Sequence, residues 1–306
     1  MAVFMYLFLL LAFFDTIRLI LFLLKIKIHN IHTYSTGVIV LLCAILIVYG
    51  VFHARSIKTA NYSITLPGGG SDIRIVLASD LHIGPKVGEK WIRNIVDAIN
   101  KAQPDIVCLA GDIFDGYLDA TKDMPEIISQ LKRINAAVGV YACLGNHDID
   151  NISFTNSSTT QIEEILRQAG IVLLKDEIHI LRENLYLAGR KDARPIGMSA
   201  DRKSPKELLD GFNGTIIVMD HQPTQFPLLE NAGAHLVLSG HTHTGQLFPG
   251  RLITKKMFQK LGATHYGHWQ GQTMQGVVTS GAAVWGPPLR VGTNSEIAVI
   301  DISFKE

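Results

Sequence analysis

Five polar clusters in this chain of 306 residues carry the side chains that could do chemistry. They are Ser79-Asp80-Leu81-His82, Gly111-Asp112-Ile113-Phe114-Asp115, Gly145-Asn146-His147-Asp148, Asp220-His221-Gln222-Pro223 and Ser239-Gly240-His241-Thr242-His243-Thr244-Gly245. Carboxylate, carboxamide and imidazole groups offer oxygen and nitrogen donors, a mixture that suits Mn²⁺, Fe or Zn²⁺ better than a thiolate-preferring ion. Two histidines at i and i+2 straight after an apolar run are a better ligand signal than histidines scattered over a surface. Asp80 and His82 alone would read as an Asx turn beside a surface histidine. The weight comes from what precedes each cluster.

The preceding runs are Ile73–Ala78, Ile106–Ala110, 138–144, 216–219 and 236–238, all apolar and rich in strand-forming residues. After the first, Trp91, Ile92, Ile95, Val96, Ile99 and Ala102 follow helical spacing, and Pro104-Asp105 ends that helix before the next strand. Further helices are expected near 125–135 and 160–169, and further strands at 185–188, 276–279 and 297–302. Apolar strands alternating with amphipathic helices predict an α/β fold with parallel strands buried on both faces. Such sheets bind ligands beyond the carboxyl ends of their strands, where all five clusters fall. No internal repeat or low-complexity linker divides the pattern, so 72–306 reads as one domain.

In this order, Asp80-Leu-His82, Gly111-Asp112-x-x-Asp115, Gly145-Asn146-His147-Asp148, His221 and Gly240-His241-Thr-His243 resemble the calcineurin-like metallophosphoesterase family, in particular its bacterial membrane-tethered members. The resemblance covers about residues 72–304. It implies a four-layer α/β/β/α sandwich with two divalent metal ions, manganese being the first to try. Asp80, His82 and His243 would hold one ion, Asn146, His221 and His241 the other, and Asp112 would bridge them. A shared carboxylate can keep two cations roughly 3.5–4 Å apart, a spacing that clamps the attacking and leaving oxygens of an in-line displacement. The resemblance makes His147 the group that meets the scissile phosphate and protonates the leaving oxygen, with Asp115 orienting its ring; Asp148 reads as a brace for the loop. Where most tethered relatives have glycine after the second histidine of Gly-His-Thr-His, this chain has Thr244, so a local difference in backbone is expected there.

The first 54 residues are of another kind. Residues 2–24 are almost continuously apolar, long enough for a bilayer-spanning helix, and 37–52 form a second, shorter apolar run flanked by Tyr34, His53 and Arg55. Asp15 and Arg18, at i and i+3, can neutralise each other on one helix face. No basic segment precedes the first run, so a retained hairpin is expected rather than a cleaved leader. Residues 1–54 are thus expected to be two membrane helices and 55–71 a linker. Lys25 and Lys27 in the connector, with Arg18 nearby, narrowly outweigh Arg55 and Lys58, which places the connector in the cytoplasm and the large domain on the extracytoplasmic side of the cell membrane.

With 47% hydrophobic and 18% charged residues and a mean hydropathy of +0.23, the chain is neither disordered nor collagen-like. The hairpin contains only Asp15 among acids and Arg18, Lys25 and Lys27 among bases, leaving 25 basic and 26 acidic residues in the remainder. A body so near neutrality has no dedicated nucleic-acid surface. Cys43, Cys108 and Cys143 read as small core residues rather than a disulfide framework. His179, His235, His265 and His268 read as packing or surface groups, the last two within reach of substrate. Arg290, in the Gly/Pro-rich segment 285–292, is the candidate to pair with a substrate phosphate, the alternative being a structural ion pair; Arg190 and Arg194 are weaker candidates. The reading is a membrane-tethered metal-dependent hydrolase of phosphodiester, phosphomonoester or pyrophosphate bonds in a small molecule or a lipid-linked substrate such as UDP-2,3-diacylglucosamine. The rival is a catalytically silent membrane scaffold, which loss of a ligand or of His147 would have marked.

Overall fold

The computed structural model of the protein describes residues 2–68, 70–115, 118–150, 159–193 and 202–305. Helices α1 (Ala2–Leu23) and α2 (Ile31–Ala54) form an antiparallel hairpin, each long and apolar enough to cross a membrane. Most of their large side chains face outward, Phe4 and Phe22 among them, as expected of helices meant for an apolar surrounding. Asp15 and Arg18 pair at 2.6 Å, and Arg18 also reaches Ser35 on α2, so the two charges are satisfied within the hairpin.

From the hairpin the chain runs through β1 (Ile57–Pro67), β2 (Ile73–Ala78), α3 (Glu89–Lys101), β3 (Ile106–Ala110), α4 (Met124–Leu131), β4 (Gly139–Cys143), α5 (Asn146–Asp150), α6 (Thr159–Gln168) and β5 (Val172–Leu173). It continues through β6 (Glu177–Arg182), β7 (Leu185–Gly189), α7 (Pro205–Leu209), β8 (Thr215–Met219), α8 (Phe226–Asn231), β9 (Leu236–Ser239), α9 (Gly250–Lys260), β10 (Gly267–Gln270), β11 (Gln275–Val278) and β12 (Ser295–Lys305). The strands make two six-stranded sheets in the orders β1-β12-β2-β3-β4-β5 and β10-β11-β9-β8-β7-β6.

The period-two alternation of side chains builds the layers. In β2, Ile73, Ile75 and Leu77 point between the sheets, while Val76 and Ala78 meet the helical layer that contains α3. In β8, Ile217 and Met219 face the same inter-sheet core, while Ile216 and Val218 face α7 and α8. The result is the expected α/β/β/α sandwich, with inner strands such as β3 and β8 buried on both faces. Not every strand is parallel: β12 runs antiparallel to β2, β6 to β7 and β10 to β11. These antiparallel pairs follow short connections, or in β12 the return of the chain to the first sheet, where no helical crossover fixes direction.

The stretch expected to be a linker, 55–71, holds strand β1 instead. It pairs in parallel with β12 from Ile57 opposite Ser295 to Pro67 opposite Lys305. Ile64 and Leu66 enter the inter-sheet core, with Tyr62 packed against it. Their period-two spacing among polar neighbours is the strand signal, which the Gly-rich turn that follows had overshadowed.

The hairpin is therefore continuous with the sheet, and its base is packed onto the domain. Ala2, Tyr6 and Cys43 share a buried apolar cluster with Leu289 and Val291. The Arg290 backbone N–H donates to the Gly50 carbonyl at 3.0 Å, and the Ser295 hydroxyl donates to the Ala54 carbonyl at 2.6 Å. Removing residues 1–54 should uncover Leu289 and Val291 as well as these polar groups. The truncated chain is expected to self-associate in buffer and become monodisperse when Leu289 and Val291 are replaced by Ser, read by light scattering after size exclusion; a monodisperse unmodified truncation would show that the packing is dispensable.

Candidate metal centre

All five clusters meet at one edge. β2 ends in Asp80 and His82, β3 in Asp112 and Asp115, and β4 in Asn146 and His147. From the second sheet, β8 ends in His221 and β9 in His241 and His243. The site thus straddles the carboxyl ends of both sheets, and most of these side chains are buried.

Nε2 of His82 and Nε2 of His243 lie 3.0 Å apart, and Asp80 Oδ1 is 3.4 Å from His243 Nε2 and 4.0 Å from His82 Nε2. Asp112 Oδ2 lies 3.8 Å from His82 Nε2 and 3.1 Å from His221 Nε2, so one carboxylate faces both halves of the site. On the second side, His241 Nδ1 is 2.9 Å from Asn146 Oδ1. Two donor groups, Asp80-His82-His243 and Asp112-His221-His241, each bring their atoms within 4.8 Å of one another and could each hold a cation.

Neighbouring groups fix how these side chains point. His221 Nδ1 is 2.8 Å from the Ala110 carbonyl, which makes Nδ1 the protonated nitrogen and turns Nε2 toward Asp112. That buried Nε2 has no hydrogen-bond partner. Burial alone would lower the pKa of His221, yet the negative charge of Asp112, followed by that of Asp80, holds it well above the ordinary value. The gap between imidazole and carboxylate is a place where positive charge is stabilised. Burial, with neighbouring His221, pushes His241 down to about 3, and burial with His82 and Arg290 pushes His243 well down, so both stay neutral with lone pairs available. An orphaned ring nitrogen, neutral imidazoles and a shared carboxylate together fit a pair of divalent cations.

His147 stands at the rim, partly exposed, with Nδ1 3.4 Å from Asp115 Oδ1. The same oxygen lies 3.4 Å from His82 Nδ1, so Asp115 stands between the two rings. Burial works against a charged His147, but the Asp115 contact and the charge of Asp112 raise its pKa above the usual value. Asp148 has a different task. Its carboxylate accepts backbone N–H groups from Phe114 and Gly145 at 2.8 Å and from Ile113 at 3.2 Å, tying the second and third clusters together. Burial and nearby Asp112 push Asp148 up to about 7.

A family model for calcineurin-like phosphoesterases matches residues 73–245, more than half of the chain and every donor named above. The chain belongs to the calcineurin-like phosphoesterase family. Among its relatives, an uncharacterized metallophosphoesterase of Campylobacter jejuni is 27% identical over 81% of this chain and 64% of that protein. A transmembrane protein with metallophosphoesterase domain from Danio rerio is 31% identical over 87% and 62%, and an uncharacterized metallophosphoesterase of Helicobacter pylori 31% over 75% and 59%. The chain spans about three fifths of the length of these relatives.

Two features of this calcineurin-like phosphoesterase site depart from expectation. Thr244, which stands where a glycine was expected, takes the left-handed conformation itself, at φ 53° and ψ 27°. That conformation is costly for a β-branched residue. Arg290 is fully buried and does not face the cavity as a phosphate ligand would. Its guanidinium donates to the carbonyls of Ser280 and Ala283 at 2.6 Å and lies 3.2 Å from His243 Nδ1, so it braces His243 from behind. It is neither the substrate contact nor the ion pair considered from sequence, because backbone carbonyls supply its acceptors.

The weaker candidates separate similarly. Arg190 is buried against Asp220 at 2.7 Å, and Arg194 lies outside the described residues. His235 Nδ1 accepts from the Ile216 N–H, His179 packs on Tyr141, His268 is 2.9 Å from Gln275 Oε1, and His265 is buried with its carbonyl accepting from Thr242. A cavity of about 600 Å³ opens beside Asp112, Asn146, His147, His241 and His243, and Ala2 and Met5 of α1 line it too. Nothing in the sequence assigned the first turn of the hairpin to the wall of this cavity. Trp285, which opens the Gly/Pro-rich segment 285–292, is a second wall residue, its ring 5.8 Å from that of His147.

Gly145 explains the glycine of the third cluster: a Cβ there would collide with the Asp112 carboxylate and backbone nitrogen and lie 2.8 Å from the His221 ring. Gly145→Ala should therefore displace Asp112 and sharply lower metal content while Gly170→Ala, in open space though at positive φ, costs only modest stability. Metal analysis with thermal melts separates the two; equal metal content in both variants would contradict the crowding.

Proposed function

We propose that the protein is a membrane-tethered, metal-dependent phosphoester hydrolase acting through a two-metal centre. The observation that carries the reading is the pair of donor sets joined by Asp112, whose Oδ2 lies 3.1 Å from the buried Nε2 of His221 and 3.8 Å from Nε2 of His82. Asp80, His82 and His243 would hold one ion, Asn146, His221 and His241 the other, with Asp112 shared. When bound, such a pair supplies Lewis-acid stabilisation of the charge that develops on phosphoryl oxygens. Manganese is the first ion to try, with iron and zinc accommodated by the same donors.

The chain's own groups do the rest. Asp115 holds the His147 ring at the rim, and Asp112 Oδ1 accepts the His147 backbone N–H at 2.8 Å, so the loop that presents His147 is tied to the centre. A raised pKa keeps a proton on His147 for delivery to the leaving oxygen, which a poor alkoxide leaving group needs. None of the seven donors is replaced, nor is His147, which leaves the silent-scaffold alternative without support. The substrate is a phosphodiester, phosphomonoester or pyrophosphate. The two apolar helices and the transmembrane relative support a membrane location, and with it a lipid-linked substrate such as UDP-2,3-diacylglucosamine. The cations of the connector, Lys25 and Lys27, support a catalytic domain on the extracytoplasmic side.

The shared carboxylate sets the first test. Asp112→Asn should deplete both metal positions, whereas His82→Ala should chiefly empty one, measured as metal per chain after reconstitution; near-full occupancy in Asp112→Asn would overturn the bridge. The second test isolates His147. His147→Ala should keep the metals, because its tie to Asp112 is through the backbone, and should lose roughly 10²–10⁴-fold in rate on an alkyl phosphoester. The loss should be smaller on a nitrophenyl ester, whose leaving group needs no proton. Matching losses on the two substrates would make His147 a phosphate-binding group, and undiminished rates would remove it from catalysis.

A further inference from the structure

Helix α9 presents a surface that the folding of the domain does not account for. It touches the body through Phe258, which is buried with its ring 6.4 Å from that of His241. Ile253, Met257 and Leu261, spaced i, i+4 and i+8, form an apolar stripe open to the outside, with Ile253 64% exposed. Leu252, Phe248 and Trp285 add further exposed apolar surface. Between them stand Arg251, Lys255, Lys256 and Lys260, and no acidic residue occurs from 248 to 271. Lone apolar residues on a surface are ordinary, but a contiguous patch rimmed by cations of one sign has the composition of a helix lying in a membrane interface.

The position of α9 says which surface it meets. The Phe248 N–H donates to the Val291 carbonyl at 2.8 Å, and Val291 packs on Gly50 of α2, where that helix enters the domain. Leu247 packs against the cluster that seals the start of α1. Leu247 and Gly250 line the same cavity as Ala2 and Met5. The stripe thus begins where the hairpin leaves the domain, and the cavity opens between the two.

We infer that α9, with Phe248 and Trp285, is an interfacial contact with the bilayer crossed by α1 and α2, and that it holds the mouth of the metal-site cavity in the headgroup layer. The occupant is the lipid surface itself: the apolar stripe reaches the acyl boundary and the four cations meet anionic headgroups. This rests on the membrane reading of the hairpin and narrows the substrate to amphiphilic phosphoesters that present a headgroup at the interface. Such a substrate reaches the site without leaving the bilayer.

The test uses the full chain in nanodiscs. Cys43, Cys108 and Cys143 are buried, so a single cysteine introduced by Ile253→Cys or Met257→Cys takes an environment-sensitive fluorophore selectively. Ile180→Cys in β6, 63% exposed and near the opposite end of the second sheet, is the control. With a nitroxide carried on the acyl chain just below the headgroup, quenching at 253 and 257 should exceed that at 180 several-fold, and adding phosphatidylglycerol to phosphatidylcholine should increase it. Quenching at 253 and 257 equal to that at 180, in chains that remain with the discs, would overturn the contact. So would shielding from aqueous iodide without nitroxide quenching, the signature of a protein partner or second copy. Failure of the chain to enter discs would overturn the membrane reading of the hairpin and this inference with it.

Discussion

The Asp112 carboxylate is the constraint on which the rest of the centre depends. One oxygen faces His82 and His221, and the other accepts the His147 N–H. A buried charge with so few protons around it is unstable unless positive charge is supplied nearby. Within the chain itself His221, its pKa held well above the ordinary value by Asp112, is the group that answers that charge, while burial keeps His241 and His243 neutral. The same arrangement that would hold cations is one that the apo chain must be braced to maintain.

The bracing is visible in the backbone. Asp80, His82, Asp112, His241 and His243 all have φ between 45° and 68°, a region that L-residues enter at a cost of roughly 1–3 kcal/mol each, less for Asp than for β-branched residues. Asp148 and Arg290 offset this from behind. Asp148 gathers three backbone N–H groups from two loops, and Arg290 gathers the carbonyls behind His243. Both are buried ionisable groups satisfied by main chain rather than by counter-ions, which fixes loop shape.

The membrane hairpin is tied into this machinery. Strand β1 extends α2 directly into the first sheet, and the segment that carries Arg290 binds Gly50 on one side and braces His243 on the other. Only Arg290 separates the second apolar helix from His243. The first turn of α1 forms part of the cavity wall, so the tether and the pocket are one construction.

By itself the sequence determined the layered α/β architecture, the five polar turns at strand ends and the apolar hairpin. Those signals are local: period-two and helical spacing, glycines beside the turns, and Asp, Asn and His in short clusters at strand ends. It also carried β1 in the alternation of Tyr62, Ile64 and Leu66, though the adjacent Gly-rich turn drew the boundary too late. Tertiary structure alone decided which partners each group meets. Arg290 reads from sequence as a phosphate ligand because a guanidinium is drawn to anions, yet the fold surrounds it with carbonyl oxygens. Thr244 sits in a left-handed conformation that its own side chain disfavours, its N–H donating to the Thr242 hydroxyl in the folded loop. The use of Ala2 and Met5 in the pocket, and the exposure of Ile253 and Met257 beside it, join segments some 250 residues apart. No local pattern encodes such a meeting; it follows from the packing of the hairpin's base against the segment before β12.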